Sequence, residues 1–276
     1  MIELINKKYI GSDGRIALYD IYLPDKPTGF IVFAHGYKGF KDWGAWSLVA
    51  KYFAKNKIAF IKFNFSHNGG TEAEPIDFAD LDAFGRNSYS KELFDLDKMV
   101  TIAEKICLEK EWQIPFYVIG HSRGGGIAIL HGAKDQRIAK IVSWAGVSDF
   151  KMRFPSGDEL DDWKLAGVMY VQNGRTKQNM PHFYSFYEDF ELNSGALNIK
   201  NACESITKPF IQIHGDMDLV VSISEGINVS RWTETRVEII KGAGHTFQMV
   251  HPWQSDELPD DMQEVLSRTM TFLNAD

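Results

Sequence analysis

From Gly29 onward the chain repeats one pattern, in which short runs of β-branched and aromatic residues alternate with longer segments whose apolar residues recur every three or four positions. Strand-like runs cover 29–34, 58–63, 115–119, 138–144, 209–213 and 236–240, and helical candidates fall at 43–56, 90–109, 122–133, 222–233 and 259–273. Runs such as Phe30-Ile-Val-Phe-Ala are apolar at successive positions, so both faces of the strand must be covered. This alternation predicts an α/β fold, a mostly parallel twisted sheet of about eight strands with helices on both faces. Two earlier runs, 2–10 and 15–23, flank Gly11-Ser-Asp-Gly14, a turn signal that predicts an antiparallel hairpin at one sheet edge. Ser90 is the expected cap of the helix at 90–109. Between Ser148 and Lys208 the rhythm stops for about sixty residues rich in Phe, Tyr, Trp, Met and Asn, longer than a structureless loop normally runs. We expect residues 148–208 to be an inserted cap of short helices, dividing the core into 1–147 and 209–276.

Composition narrows the classes of partner. A net charge of −7 and a pI near 5.6 argue against nucleic acid or an anionic membrane, since no local basic run offsets the field. The N-terminal Met-Ile-Glu-Leu-Ile-Asn-Lys-Lys has no apolar core or cleavage signal of a leader, and no apolar run reaches the roughly 18 residues of a membrane span. A cytoplasmic protein, monomer or homodimer, is therefore expected. Cys107 and Cys203 lack the spacing of a redox or zinc motif and read as free core thiols.

The chemistry is carried by Tyr117-Val-Ile-Gly120-His-Ser122-Arg-Gly124-Gly-Gly-Ile-Ala, in which a strand-like run passes through Gly-x-Ser-x-Gly straight into a helical segment. A turn this sharp strains the serine backbone, and the glycines two before and two after it remove Cβ atoms that would collide. The serine hydroxyl is lifted clear of the sheet, and the backbone N–H of Arg123, opening the helix, can point at an oxyanion. Serine is a weak nucleophile without a neighbouring base and a carboxylate to orient that base. The expected places are the ends of later strands, where His214-Gly-Asp216-Met-Asp218 and Gly242-Ala-Gly-His245 occur.

With these segments the chain resembles the α/β-hydrolase superfamily along nearly its whole length, in particular its dienelactone-hydrolase-like, cinnamoyl-esterase-like and prolyl-oligopeptidase-like branches. The order serine, acid, histidine is that of the superfamily. The resemblance implies Asp218 as the acid, three residues after the glycine of His-Gly-x-x-Asp, with Asp216 and Asp149 as alternatives. It also implies that Tyr37, following His35-Gly36, donates its backbone N–H as the second oxyanion ligand. Candidate substrate contacts are His35, Gly36, His121, Trp163 and Phe183. No histidine pair has metal-ligand spacing, and no metal or cofactor is expected.

The expected activity is cleavage of a carboxylic ester, with small-molecule esters as substrates. Peptide or acyl-peptide hydrolysis, thioester hydrolysis and acyl transfer could use the same residues, and a non-catalytic binding protein could use the same fold.

Overall fold

The computed structural model describes residues 1–275. Eight strands form one sheet in the order β1 (Ile2–Ile10), β2 (Ile16–Leu23), β4 (Ile58–Phe63), β3 (Gly29–Ala34), β5 (Phe116–His121), β6 (Ile138–Trp144), β9 (Phe210–Gly215), β10 (Val237–Ile240). Strands β1 and β2 form the expected antiparallel edge hairpin, β2 pairs antiparallel with β4, and every remaining pairing is parallel. Successive side chains of a strand point to opposite faces, and both faces are buried. Ile31 and Phe33 pack with Phe60, Ile119 and Val142 under α1 (Trp46–Lys55) and α9 (Asp260–Asn274). Phe30 and Val32 pack with Ile61, Val118 and Ile141 under α3 (Tyr89–Glu109), α4 (Arg123–Lys134) and α8 (Ile223–Trp232). The unbroken apolar runs of the sequence are the consequence of this double cover.

The local signals fell close to the observed boundaries. One expected cap moves: α3 starts two residues earlier than a Ser90 cap implies, because Ser88, with extended backbone, accepts the Lys91 amide at 3.3 Å. A short helix, α2 (Leu81–Gly85), was not expected; it is capped by the Asp80 carboxylate, which accepts the Ala83 amide at 2.9 Å. Between β6 and β9 the chain forms α5 (Asp158–Ala166), α6 (Ser185–Leu192) and α7 (Ile199–Ser205), together with a second, two-stranded sheet. That sheet, β7 (Val168–Gln172) with β8 (Asn179–Phe183), replaces part of the all-helical content expected there. The β-prone run Val168-Met-Tyr-Val and the turn residues Asn173-Gly174 are its local basis. Cys107 and Cys203 are buried and unpaired.

A buried ionic cluster anchors the loop after β3. Lys41, on that loop, and Lys62, on β4, are fully buried, and both reach Asp20 Oδ2 on β2, at 2.9 and 2.7 Å. Both also bond Asp42, Lys41 at 2.6 Å. Burial works against ionisation of Asp42, but the charges of Lys62 and Lys41 outweigh it and hold its carboxyl below the usual range. The Lys41 amide donates to Asn64 Oδ1 at 2.6 Å, and the Asn6 amide to Asp20 Oδ1 at 2.8 Å. Removing one member strands its partners as uncompensated buried charge. Asp20→Ala is therefore expected to cost about 3–5 kcal/mol, read as a lowered midpoint in urea unfolding.

Candidate active site

The site lies at the carboxyl ends of the parallel strands, the edge at which open α/β sheets bind ligands. Ser122 occupies the single residue between β5 and α4, with φ 58° and ψ −121°, a conformation that side chains rarely adopt. Its amide donates to the Trp144 carbonyl at 2.9 Å and its carbonyl accepts from Gly125 at 2.9 Å, so the neighbouring strand and the new helix both hold the turn. A Cβ at Gly120 would land on backbone atoms of Gly124, and one at Gly124 on the carbonyls of Ala34 and His35. Only glycine permits β5, β3 and α4 to approach this closely.

His245 follows β10 and Asp218 follows β9. Ser122 Oγ lies 2.9 Å from His245 Nε2, and His245 Nδ1 lies 2.7 Å from Asp218 Oδ2. The three side chains form one hydrogen-bonded chain. Asp218 Oδ1 accepts the amides of Val220 and Val221 at 2.8 and 2.9 Å, and His214 Nε2 lies 3.4 Å from Oδ2. Burial alone would raise the Asp218 carboxyl; hydrogen bonding from His214 and His245, with the Val221 amide, outweighs it and holds the pKa well below the usual carboxylate range. Of the other two carboxylates considered, Asp216 accepts the Gly242 amide at 2.6 Å and Asp149 the Lys151 amide at 2.7 Å; each stabilises a turn and neither is hydrogen-bonded to His245.

Beside Ser122, the loop after β3 comes so close that a Cβ on Gly36 would lie 2.9 Å from Ser122 Cβ. The next amide is that of Tyr37, and across from it the Arg123 amide opens α4. Among the described residues neither amide donates to a protein acceptor, which leaves two donors at the serine. His121 Nε2 donates to the His245 carbonyl at 2.9 Å, fixing the loop that carries that imidazole. His35 bonds the Gly36 carbonyl through Nδ1 at 2.9 Å and accepts the Phe65 amide on Nε2 at 3.3 Å. Burial holds both neutral at pH 7, His121 down to about 3 and His35 down to about 4.

Two cavities open on Ser122. The first, about 320 Å³, is largely apolar and is bounded by Tyr37, Tyr89, Arg123, Phe150, Arg153, Phe154, Phe186 and the Val220-Val221 pair. The second, about 410 Å³, is more polar and holds His245 together with His35, Gly36, His121, Trp43, Arg175 and His251. Trp163 and Phe183 line neither. Trp163 is buried and donates its indole N–H to the His182 carbonyl at 2.8 Å, and Phe183 packs against Gly85 under Arg86. Tyr89, Arg153, His182 and Val220-Val221 were not anticipated. Tyr89 begins α3, remote in sequence from any motif, whereas the two valines directly follow the acid's loop and could have been suspected. His182 hydrogen-bonds the Tyr37 hydroxyl at 2.7 Å, joining the β7–β8 sheet to the loop after β3.

Sheet order and the strand–turn–helix at Ser122 define the chain as an α/β-hydrolase. A family model described as serine aminopeptidase, S33, matches residues 25–182, more than half of the chain, and the chain belongs to that family. The monoacylglycerol lipase of Mycolicibacterium smegmatis is 28% identical over 237 residues, covering 78% of this chain and 80% of that protein. Among solved structures, Est1E from Butyrivibrio proteoclasticus with bound ferulic acid superposes with a TM-score of 0.72 at 17% identity, over 95% of this chain and 97% of that one. A soluble variant of monoglyceride lipase from Saccharomyces cerevisiae, in complex with a substrate analogue, gives 0.70 at 15% identity, over 98% and 96%. These two likenesses are of fold. No helix among the described residues is long and apolar enough to cross a membrane.

The depressed Asp218 carboxyl has a thermodynamic consequence. A carboxyl whose folded pKa lies below its unfolded value stabilises the fold above the unfolded pKa, and that contribution is lost as pH falls through the folded one. Asp218→Asn is expected to flatten the loss of stability at acid pH, measured as urea midpoints from about pH 6 down to about pH 2.

Proposed function

We propose that the chain is a serine hydrolase that cleaves a carboxylic ester of a small molecule through an acyl-enzyme on Ser122. The observation that carries this reading is the continuous hydrogen-bonded chain from Ser122 Oγ through His245 to Asp218, with the hydroxyl at the junction of two cavities. Ser122 attacks the carbonyl carbon while His245 Nε2 takes its proton, and Asp218 stabilises the resulting imidazolium. The amides of Tyr37 and Arg123 hold the tetrahedral oxyanion. His245 then protonates the leaving oxygen. Water, activated by the same imidazole, displaces the acyl group from Ser122.

The position of His245 orients the substrate. It lines the second cavity and not the first, so the alcohol that it protonates departs into the second, beside Gly36, His35 and His121. The acyl group then occupies the first. We assign residues 148–208 as the cap over a core of 1–147 and 209–276, because Phe150, Arg153, Phe154, Met169, His182 and Phe186 of that segment wall the acyl side. Enclosure of this kind excludes water from the reacting carbonyl.

Ester cleavage is favoured over the aminopeptidase activity in the family's description by the charge at the site. Recognition of a free α-ammonium group calls for a carboxylate, and among the described residues no aspartate or glutamate lines either cavity. The names of the lipase and esterase relatives point the same way.

Wild-type protein should hydrolyse 4-nitrophenyl or methyl hydroxycinnamate esters and be labelled at Ser122 by a fluorophosphonate. Ser122→Ala should lower kcat/KM by about 10⁴-fold or more and lose the label. Turnover that survives unchanged in the variant would remove Ser122 from the mechanism.

A further inference from the structure

The mechanism above uses only the backbone amide of Arg123; its side chain is unaccounted for. That side chain is 13% exposed and lines the acyl cavity. Aromatic rings surround the guanidinium, with the Tyr37, Tyr89 and Phe186 centroids at 4.4, 5.2 and 5.5 Å. Of the five N–H donors a guanidinium carries, only Nη1 is hydrogen-bonded within the described residues, to Glu92 Oε1 at 3.2 Å. The remaining donors are left in a largely apolar chamber, where an unmatched polar group is costly.

The one carboxylate that meets the guanidinium is itself shared. Glu92 shares the same Oε1 with Asn87, at 2.7 Å, and its Oε2 meets no partner among the described residues. Burial raises the Glu92 carboxyl even though Arg123 and Asn87 act to lower it. His182, pushed down to about 3 chiefly by burial, and Lys38 are both lowered further by the nearby Arg123 charge. Arg153 lines the same cavity, bonded to the buried Glu225. Across the chain acids outnumber bases, for a net charge of −7, yet among the described residues every lysine, arginine, aspartate or glutamate lining the two cavities at Ser122 is a cation: Lys38, Arg123, Arg153 and Arg175.

We propose that Arg123 is a specificity-determining residue, selecting esters whose acyl chain ends in a carboxylate, the half-esters of short dicarboxylic acids, with Arg153 as a second cationic wall. The inference rests on the assignment of Ser122 as nucleophile and of the first cavity as the acyl side. A carboxylate can take two parallel N–H donors from one guanidinium, a geometry that lysine does not offer. The surrounding rings hold the guanidinium plane in place, and the low-polarity walls strengthen the pair. A neutral alkyl chain of the same length would leave the donors unmatched, and polar sites discriminate against such analogues far better than apolar pockets do against a missing methylene.

The test compares 4-nitrophenyl hydrogen adipate with 4-nitrophenyl hexanoate, equal in chain length and leaving group, after subtraction of the uncatalysed rates. The ratio of their kcat/KM values cancels damage that a substitution does at the Arg123 amide itself. Wild type is expected to favour the adipate by about ten-fold or more, chiefly through KM. Arg123→Met should bring the ratio to one or below, and Arg123→Lys should keep part of the preference. A wild-type ratio near or below one, or a ratio unmoved in Arg123→Met, overturns the assignment and leaves the serine hydrolase reading standing. If neither ester is turned over, that reading fails on its own account. Calorimetry of monomethyl adipate with Ser122→Ala then decides the pocket's chemistry: binding abolished by adding Arg123→Met supports the anion site, and no binding, or binding that the second change leaves intact, overturns it.

Discussion

The close approach of β5, β3 and the first turn of α4 around Ser122 is the constraint on which the rest of the site depends. Without Cβ atoms at Gly120 and Gly124 the helix can start directly against the carbonyls of Ala34 and His35. That contact aims the leading amide of α4 and the loop after β3 at the same point in space. The strained φ of Ser122 is tolerated because the Trp144 carbonyl and the Gly125 amide hold its backbone on both sides. The strands β9 and β10, continuing the same parallel edge, need only short loops to bring Asp218 and His245 to the hydroxyl. A parallel sheet places all these loops at one end, which is why residues separated by 123 positions meet at 2.9 Å.

Around that point the molecule uses buried charge in two different ways. In the cluster of Asp20, Lys41, Lys62 and Asp42, two cations meet two carboxylates with several direct bonds, a balanced arrangement that ties the loop after β3 to β2 and β4. At Arg123 the balance is incomplete: one shared carboxylate oxygen serves a guanidinium caged by aromatic rings. The first arrangement fixes backbone geometry in the loop that brings Gly36 and Tyr37 to Ser122. The second leaves guanidinium donors of Arg123 facing a cavity lined largely by apolar side chains.

The elements were legible wherever burial imposes a periodic pattern. Strands β3, β4 and β6 are apolar on both faces and their limits could be read to the residue, as could the turn Gly11-Ser-Asp-Gly14 that reverses the edge hairpin. The shift from Ser90 to Ser88 at the start of α3 is a competition between two serines of equal intrinsic capping strength, settled by which one the chain holds extended. The β7–β8 sheet had a local signal in Val168-Met-Tyr-Val and Asn173-Gly174, but it is short and lies in an aromatic-rich segment with no clean period, so it does not stand out from the helical candidates around it.

What the sequence determined by itself is the chain's class and the turn that carries Ser122: alternating apolar runs require a covered parallel sheet, and glycines spaced around Ser122 require a strand-to-helix turn with nothing else able to fit. Which carboxylate among Asp149, Asp216 and Asp218 meets His245 was decided only by tertiary structure, because all three follow strands and differ in the direction their loops take. The same holds for the more apolar of the two cavities at Ser122. Tyr89, Arg123, Arg153 and His182 come from four separate segments, and no local pattern records that they will share one wall, since their proximity follows from how helices and the inserted segment pack rather than from any preference of the chain near each residue.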